Sequence, residues 1–199
     1  MSHSLLVATS NPDKMREIRA ILSGLPIRLR TLADIAPLEP PEETGQTFAE
    51  NARQKALYYA AAAGALTVAE DSGLEIDALG GAPGVLSARY GGQQSTYPEK
   101  FALIYRALAD AGAAHNGSRF VCAVAVADEG RILYETSGVV EGTISPTPRG
   151  AGGFGYDPIF YYPPFGCTLA EAGERKSSVS HRGEAFRRLR WWLEQQSPR

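Results

Sequence analysis

Ala69-Glu70-Asp71-Ser72-Gly73-Leu74-Glu75-Ile76-Asp77 sets carboxylates at the end of an apolar run, and its reading decides the fold. Leu66, Val68 and Ala69 read as a buried strand of a parallel or mixed sheet, with Gly73 turning the chain sharply just past the acids. Ligands of open α/β sheets gather at the carboxyl edge of the strands, so Glu70 and Asp71 are placed to hold a hard cation. The competing reading is a strand end followed by a plain acidic turn.

Working outward, the acidic stretch Pro37-Leu38-Glu39-Pro40-Pro41-Glu42-Glu43-Thr44-Gly45 reads as a proline-stiffened loop. Glu42 and Glu43 are candidates for a metal ligand beyond Asp71, against the alternative of a solvated loop. Thr47 with Glu50 forms a capping box that predicts a helix from Phe48 to Ala63, closed by Gly64. Its core face carries Phe48, Ala52, Ala56, Tyr59 and Ala63, and a neighbouring stripe carries Asn51, Lys55 and Tyr58. Lys55 is either a snorkelling surface lysine or the second cation of an anion site.

The first cation is Lys14. Leu5 to Ala8 reads as a strand, Thr9-Ser10-Asn11-Pro12-Asp13-Lys14 as a turn, and Met15 to Leu22 as a helix ended by Gly24. A strand feeding a polar turn and a helix N-terminus offers amide donors and a positive dipole end to an anion such as phosphate. No Walker loop occurs, and an ordinary capped helix with a surface lysine is the alternative.

Downstream, Ile27 to Leu32 reads as a strand, Thr96, Pro98 and Glu99 start another helix, and Phe120 to Ala127 with Arg131 to Val140 flank the turn Asp128-Glu129-Gly130 as a hairpin of core strands. Gly150, Gly152 and Gly155 match GxGxxG, but Pro146-Thr147-Pro148 precedes and Asp157-Pro158 follows, so the dinucleotide reading fails its structural test. What remains is a flexible loop offering Phe154, backbone amides and Asp157, a set suited to a flat polar ligand such as a nucleobase. Thr168 with Glu171 predicts a short capped helix before Lys176. His181 and Arg182 open a final helix whose Ala185, Leu189, Trp192 and Leu193 seek the core, and the pair could present donors to a ligand. Without a second clustered histidine or cysteine, zinc is rejected; the other histidines are His3 and His115.

Composition bounds these readings. With 199 residues, 44% hydrophobic and 21% charged content and a formal net charge of −2, the chain suits a single soluble domain spanning 1–199 and lacks the basic excess of a non-specific nucleic-acid binder. The twenty basic residues include only four lysines, three of which (Lys14, Lys55, Lys176) fall in the segments singled out above. Two cysteines without CxxC spacing, and no membrane span or signal peptide, predict a cytoplasmic protein.

Taken together, the motifs resemble the inosine/xanthosine triphosphate pyrophosphatase family. The likeness lies in Ala8-Thr9-Ser10-Asn11 with Lys14, Glu42-Glu43-Thr44-Gly45, Thr47-Phe48, Glu50-Asn51-Ala52, Lys55-Ala56, Asp71-Ser72-Gly73-Leu74, Leu79 to Tyr90, Pro148-Arg149-Gly150, Gly153 to Phe160, Lys176 and Ser180-His181-Arg182. It departs at Ser10, where the family usually has Gly, and at Glu70, where it usually has Asp.

The resemblance implies an α/β fold with an elongated mixed central sheet flanked by helices, related to the Maf-like fold, and two lobes around a substrate groove. It also implies a homodimer, Mg²⁺ dependence and hydrolysis of ITP, dITP and XTP to the monophosphate and pyrophosphate. On this reading Asp71 is the catalytic carboxylate with Lys14 beside it, and Glu42, Glu43 and Asp71 are the metal candidates. The substrate is then held by Thr9, Ser10, Asn11, Lys14, Lys55, Ser72, Phe154, Gly155, Tyr156, Asp157, Lys176, His181 and Arg182. The alternatives are a Maf-like pyrophosphatase of other modified nucleotides and a nucleotide-binding protein without turnover.

Overall fold

Thr47 Oγ1 accepts from the Glu50 amide at 3.2 Å while Glu50 Oε2 accepts from Thr47 N at 3.1 Å, and this reciprocal cap starts the central helix at the expected residue. In chain order the elements are β1 (Ser4–Val7), α1 (Pro12–Leu22), β2 (Arg28–Thr31), α2 (Phe48–Ala63), β3 (Thr67–Ile76) and α3 (Tyr97–Asp110). There follow β4 (Gly117–Asp128), β5 (Arg131–Ile144), β6 (Phe160–Tyr162), β7 (Cys167–Thr168), α4 (Lys176–Val179) and α5 (His181–Gln196). These come from a computed structural model that describes residues 4–112 and 117–196, so His3 and His115 lie outside the described residues.

The strands form one mixed sheet in the order β2-β1-β3-β4-β5-β6-β7. β1 pairs in parallel with β2, Ser4 opposite Arg28, and with β3, Val7 opposite Val68. Two residues in the left-handed region, Glu129 (φ 47°) and Gly130 (φ 75°), join β4 to β5, a turn short enough to require antiparallel neighbours. β6 pairs antiparallel with both β5 and β7.

The chain divides into two compact units. The first comprises Met1–Asp71, Cys122–Gly138 and His181–Arg199. Its core packs Leu5, Val7, Val68, Cys122, Val124 and Val126 of the sheet against Ile18 and Leu22 of α1 and Ala185, Phe186, Leu189 and Leu193 of α5. The second comprises Ser72–Val121 and Val139–Ser180, with a core of Leu74, Ile76, Phe101, Ile104, Leu108, Phe120, Phe160 and Leu169. Among the described residues no helix is long and apolar enough to cross a membrane.

Four expectations are corrected. β3 does not end at the acids: it continues through Gly73 to Ile76. Gly73 is there for proximity, since a Cβ would meet Ser87 and lie 2.8 Å from the Gly84 carbonyl oxygen. β5 is not core along its first half, where Arg131, Leu133, Glu135 and Ser137 are exposed in alternation. The loop from Arg149 to Asp157 is tied down rather than flexible, by Arg149 N to Pro158 O at 2.9 Å, Gly152 N to Ala170 O at 3.1 Å and Phe154 N to the Asp157 carboxylate at 2.8 Å. Thr168 N and Oγ1 both donate to the Glu171 carboxylate, at 2.9 and 3.0 Å, but residues 169–172 form a turn, and helical structure begins only at Gly173.

Candidate active site

Strand periodicity sorts the two acids of β3. Successive side chains on a strand face opposite sides of the sheet, so Glu70 follows Val68 toward α1 and α5 while Asp71 turns toward α2. The acid pair expected at the strand end therefore divides between two sets of partners in the first unit.

Asp71 is nearly buried, and both its oxygens are held: Oδ2 accepts from Asn51 Nδ2 at 3.0 Å, and Oδ1 accepts from Lys55 Nζ at 2.9 Å. The same ammonium donates to Glu43 Oε1 at 2.7 Å, so one lysine joins strand and acidic loop. Asn51 makes a second link, its Oδ1 accepting from Gly45 N at 2.8 Å. Burial pushes the Asp71 carboxyl above its ordinary value; Lys55 opposes the shift and the Glu43 charge adds to it. Lys55, in turn, is held above its usual value because the two carboxylates outweigh its burial. Glu42, one residue before Glu43, is exposed. Asn51 was missed as a functional residue; the available signal was its position four residues before Lys55 on the polar stripe of α2.

Glu70 is fully committed to cations. Lys14 Nζ lies 3.1 Å from Oε1, Arg182 Nε donates to the same oxygen at 3.0 Å, and the Cys122 thiol lies 3.1 Å from Oε2. Burial alone would raise its carboxyl, but Arg182 and Lys14 hold it well below the usual range. Arg182 also donates to Glu17 Oε2 at 2.8 Å. Its guanidinium thus donates to two carboxylates of its own chain. His181 sits beside it, buried, in the first turn of α5.

At the end of β1, Thr9 Oγ1 accepts from Asn11 N at 3.2 Å, and Asn11 Oδ1 accepts from the amides of Asp13 and Lys14 at 2.9 and 3.1 Å. Residues 12–14 are thus the first turn of α1, not part of the preceding turn, and two amides expected to face an anion are already capped. Ser10 is exposed.

In the second unit, Asp157 Oδ2 accepts from both the Phe154 amide and Lys176 Nζ, the latter at 2.7 Å, and the ammonium lies 4.6 Å from the centre of the Phe154 ring. At Gly153 (φ 69°) a Cβ would strike the Asp157 carboxylate. Between them, Gly155 is half-buried, and buried Tyr156 donates its hydroxyl to the Ser87 carbonyl at 2.8 Å. Ser72 is half-buried on β3. Aromatic face, cation and carboxylate are thereby assembled in one small cluster.

Residues 5–192 match the Ham1 family. The chain belongs to the Ham1 family. It is 46% identical over 194 residues to a dITP/XTP pyrophosphatase of Gloeobacter violaceus, covering 95% of this chain and 93% of the relative. A dITP/XTP pyrophosphatase of Thermus thermophilus is 47% identical over 186 residues, covering 93% of this chain and 89% of the relative. The solved structure of a HAM1 protein from Coxiella burnetii superposes with a TM-score of 0.92 at 38% identity, covering 98% of this chain and 100% of that one.

Whether this Ham1-family site suits a divalent cation is a question of donor chemistry. Among the described residues no three His, Cys, Asp or Glu side chains group as a preformed metal cage. Asp71 and Glu43 nevertheless present hard oxygens to one shared cation, the Lys55 ammonium. Mg²⁺ is commonly held by one or two carboxylates with the remaining positions filled by water and phosphate oxygens, so the residues present fit it.

Proposed function

We propose that this Ham1-family chain hydrolyses deaminated purine nucleoside triphosphates, XTP, dITP and ITP, to the nucleoside monophosphate and pyrophosphate. The observation that carries the proposal is Asp71, a carboxylate made more basic by burial, anchored by Asn51 and, in the nucleotide-free protein, by Lys55 as well. A carboxylate so held can take the proton of a water attacking the α-phosphorus. The new oxygen–phosphorus bond forms as the bond from the α-phosphorus to the bridging oxygen breaks, and the electron pair leaves with pyrophosphate. Lys14 and Lys55 stabilise the charge gathering there. Mg²⁺, held by Asp71 and a glutamate of the acidic loop, would neutralise phosphate charge and align the chain for in-line attack.

Base selection is assigned to Phe154, Lys176 and Asp157. Phe154 stacks on the purine, and the ammonium of Lys176 meets the 6-oxo acceptor that distinguishes inosine and xanthosine from adenosine. A site built around that bond rejects a base lacking the acceptor by up to roughly 10⁴. Pyrophosphate release should therefore be measured with XTP, dITP, ITP, GTP and ATP in Mg²⁺. Turnover of the first three far above ATP is expected, with monophosphate and pyrophosphate in equal amounts; hydrolysis of ATP at a comparable rate, or release of orthophosphate instead, would overturn the assignment.

A further inference from the structure

We infer that Lys55 is a placeholder for the divalent cation: its ammonium bridges Glu43 and Asp71 in the nucleotide-free protein and passes to the phosphates when a metal–triphosphate complex arrives. The inference rests on the reading of Asp71 and the acidic loop as the metal-binding groups. Its observation is a single nitrogen bonded to both acids, 2.7 Å from Glu43 Oε1 and 2.9 Å from Asp71 Oδ1, with the lysine side chain only 15% exposed. Two carboxylates brought this close and partly withdrawn from water repel one another, and the ammonium cancels that repulsion.

The position cannot serve two cations at once. A divalent ion bound by the same carboxylates would stand against the ammonium at short range, so one must leave. Lysine is suited to leaving, being a compact charge on a flexible stem with three donors that need not keep a planar geometry. Asp71 has a second fixed partner in Asn51, so its carboxylate keeps one anchor when Lys55 departs.

Metal alone must therefore displace Lys55 while gaining only the protein's carboxylates. Metal arriving with triphosphate brings its own further oxygens and hands the released ammonium a new anionic partner. Metal and nucleotide binding are thereby coupled through one side chain.

The test is calorimetric titration with MgCl₂ in the absence of nucleotide. Lys55→Met, which keeps the stem and removes the charge, is expected to bind Mg²⁺ at least about tenfold more tightly than wild type. The double variant Lys55→Met/Asp71→Asn is expected to lose that gain. Lys55→Gln supplies the same comparison should the methionine variant fail to fold, with circular dichroism checking each protein. Equal or weaker Mg²⁺ affinity in a folded Lys55 variant would overturn the inference while wild-type hydrolysis of XTP left the proposed function standing. Absence of wild-type turnover on every nucleotide would remove that function and the inference with it.

Discussion

Glu70 and Asp71 share a peptide bond and have opposite electrostatic fates. Asp71 is driven toward its protonated form by burial, which suits a proton acceptor, whereas Glu70 is locked ionised between Lys14 and Arg182. A carboxyl held below its unfolded value adds stability that is complete above that value, ordinarily 4.5 for glutamate, and is lost as pH falls through the folded value. Asp71 acts the other way, since ionising it costs stability as pH rises beyond its ordinary 3.8. Acid unfolding should therefore be governed in part by Glu70. Glu70→Gln leaves Arg182 buried with less charge to meet it, so its stability at neutral pH should fall by about 3–5 kcal/mol, with a flatter dependence on acid. Denaturant unfolding at several pH values measures both; an unchanged stability and slope would show the buried pair to be idle.

At the scale of elements, β3 and α2 together place the chemistry. α2 was fully legible, because a reciprocal cap, an apolar face and a glycine stop are local signals, and it runs from Phe48 to Ala63 as expected. β3 was legible in type but not in extent. Gly73 followed two acids and so read as a turn, whereas the reason for a glycine lies in Ser87 and Gly84, which sequence order does not bring near. The polar stripe of Asn51 and Lys55 was visible as periodicity, but its target was not, since the partner lies sixteen to twenty residues away on another element. The internal partners of Arg182 were hidden for the same reason: nothing local signals that Glu17, 165 positions earlier, will accept from it. Gly73→Ala should force β3 away from the turn at Gly84 and cost about 1–3 kcal/mol by overpacking. A thermal midpoint equal to that of wild type would mean that the neighbouring segment yields freely.

For the whole molecule, three of the four lysines are paired with carboxylates, Lys14 on Glu70, Lys55 on Glu43 and Asp71, and Lys176 on Asp157, while Lys100 donates to the Ala88 carbonyl. Each of these three ammonium groups is pre-positioned by its carboxylate in the nucleotide-free protein, which under the proposed function lowers the cost of ordering it when phosphate or base arrives. With a formal net charge of −2, the chain has no net positive charge to draw it toward nucleic acid. The proposed hydrolysis depends on Asp71 as the group that activates water. The direct measurement is pyrophosphate release from XTP in Mg²⁺ by wild type and by Asp71→Asn, which keeps the side chain's shape and removes its basicity. The account predicts that the variant remains folded and loses about 10²–10⁴-fold in kcat; turnover by the folded variant within a factor of about three of wild type, far short of that loss, would contradict it.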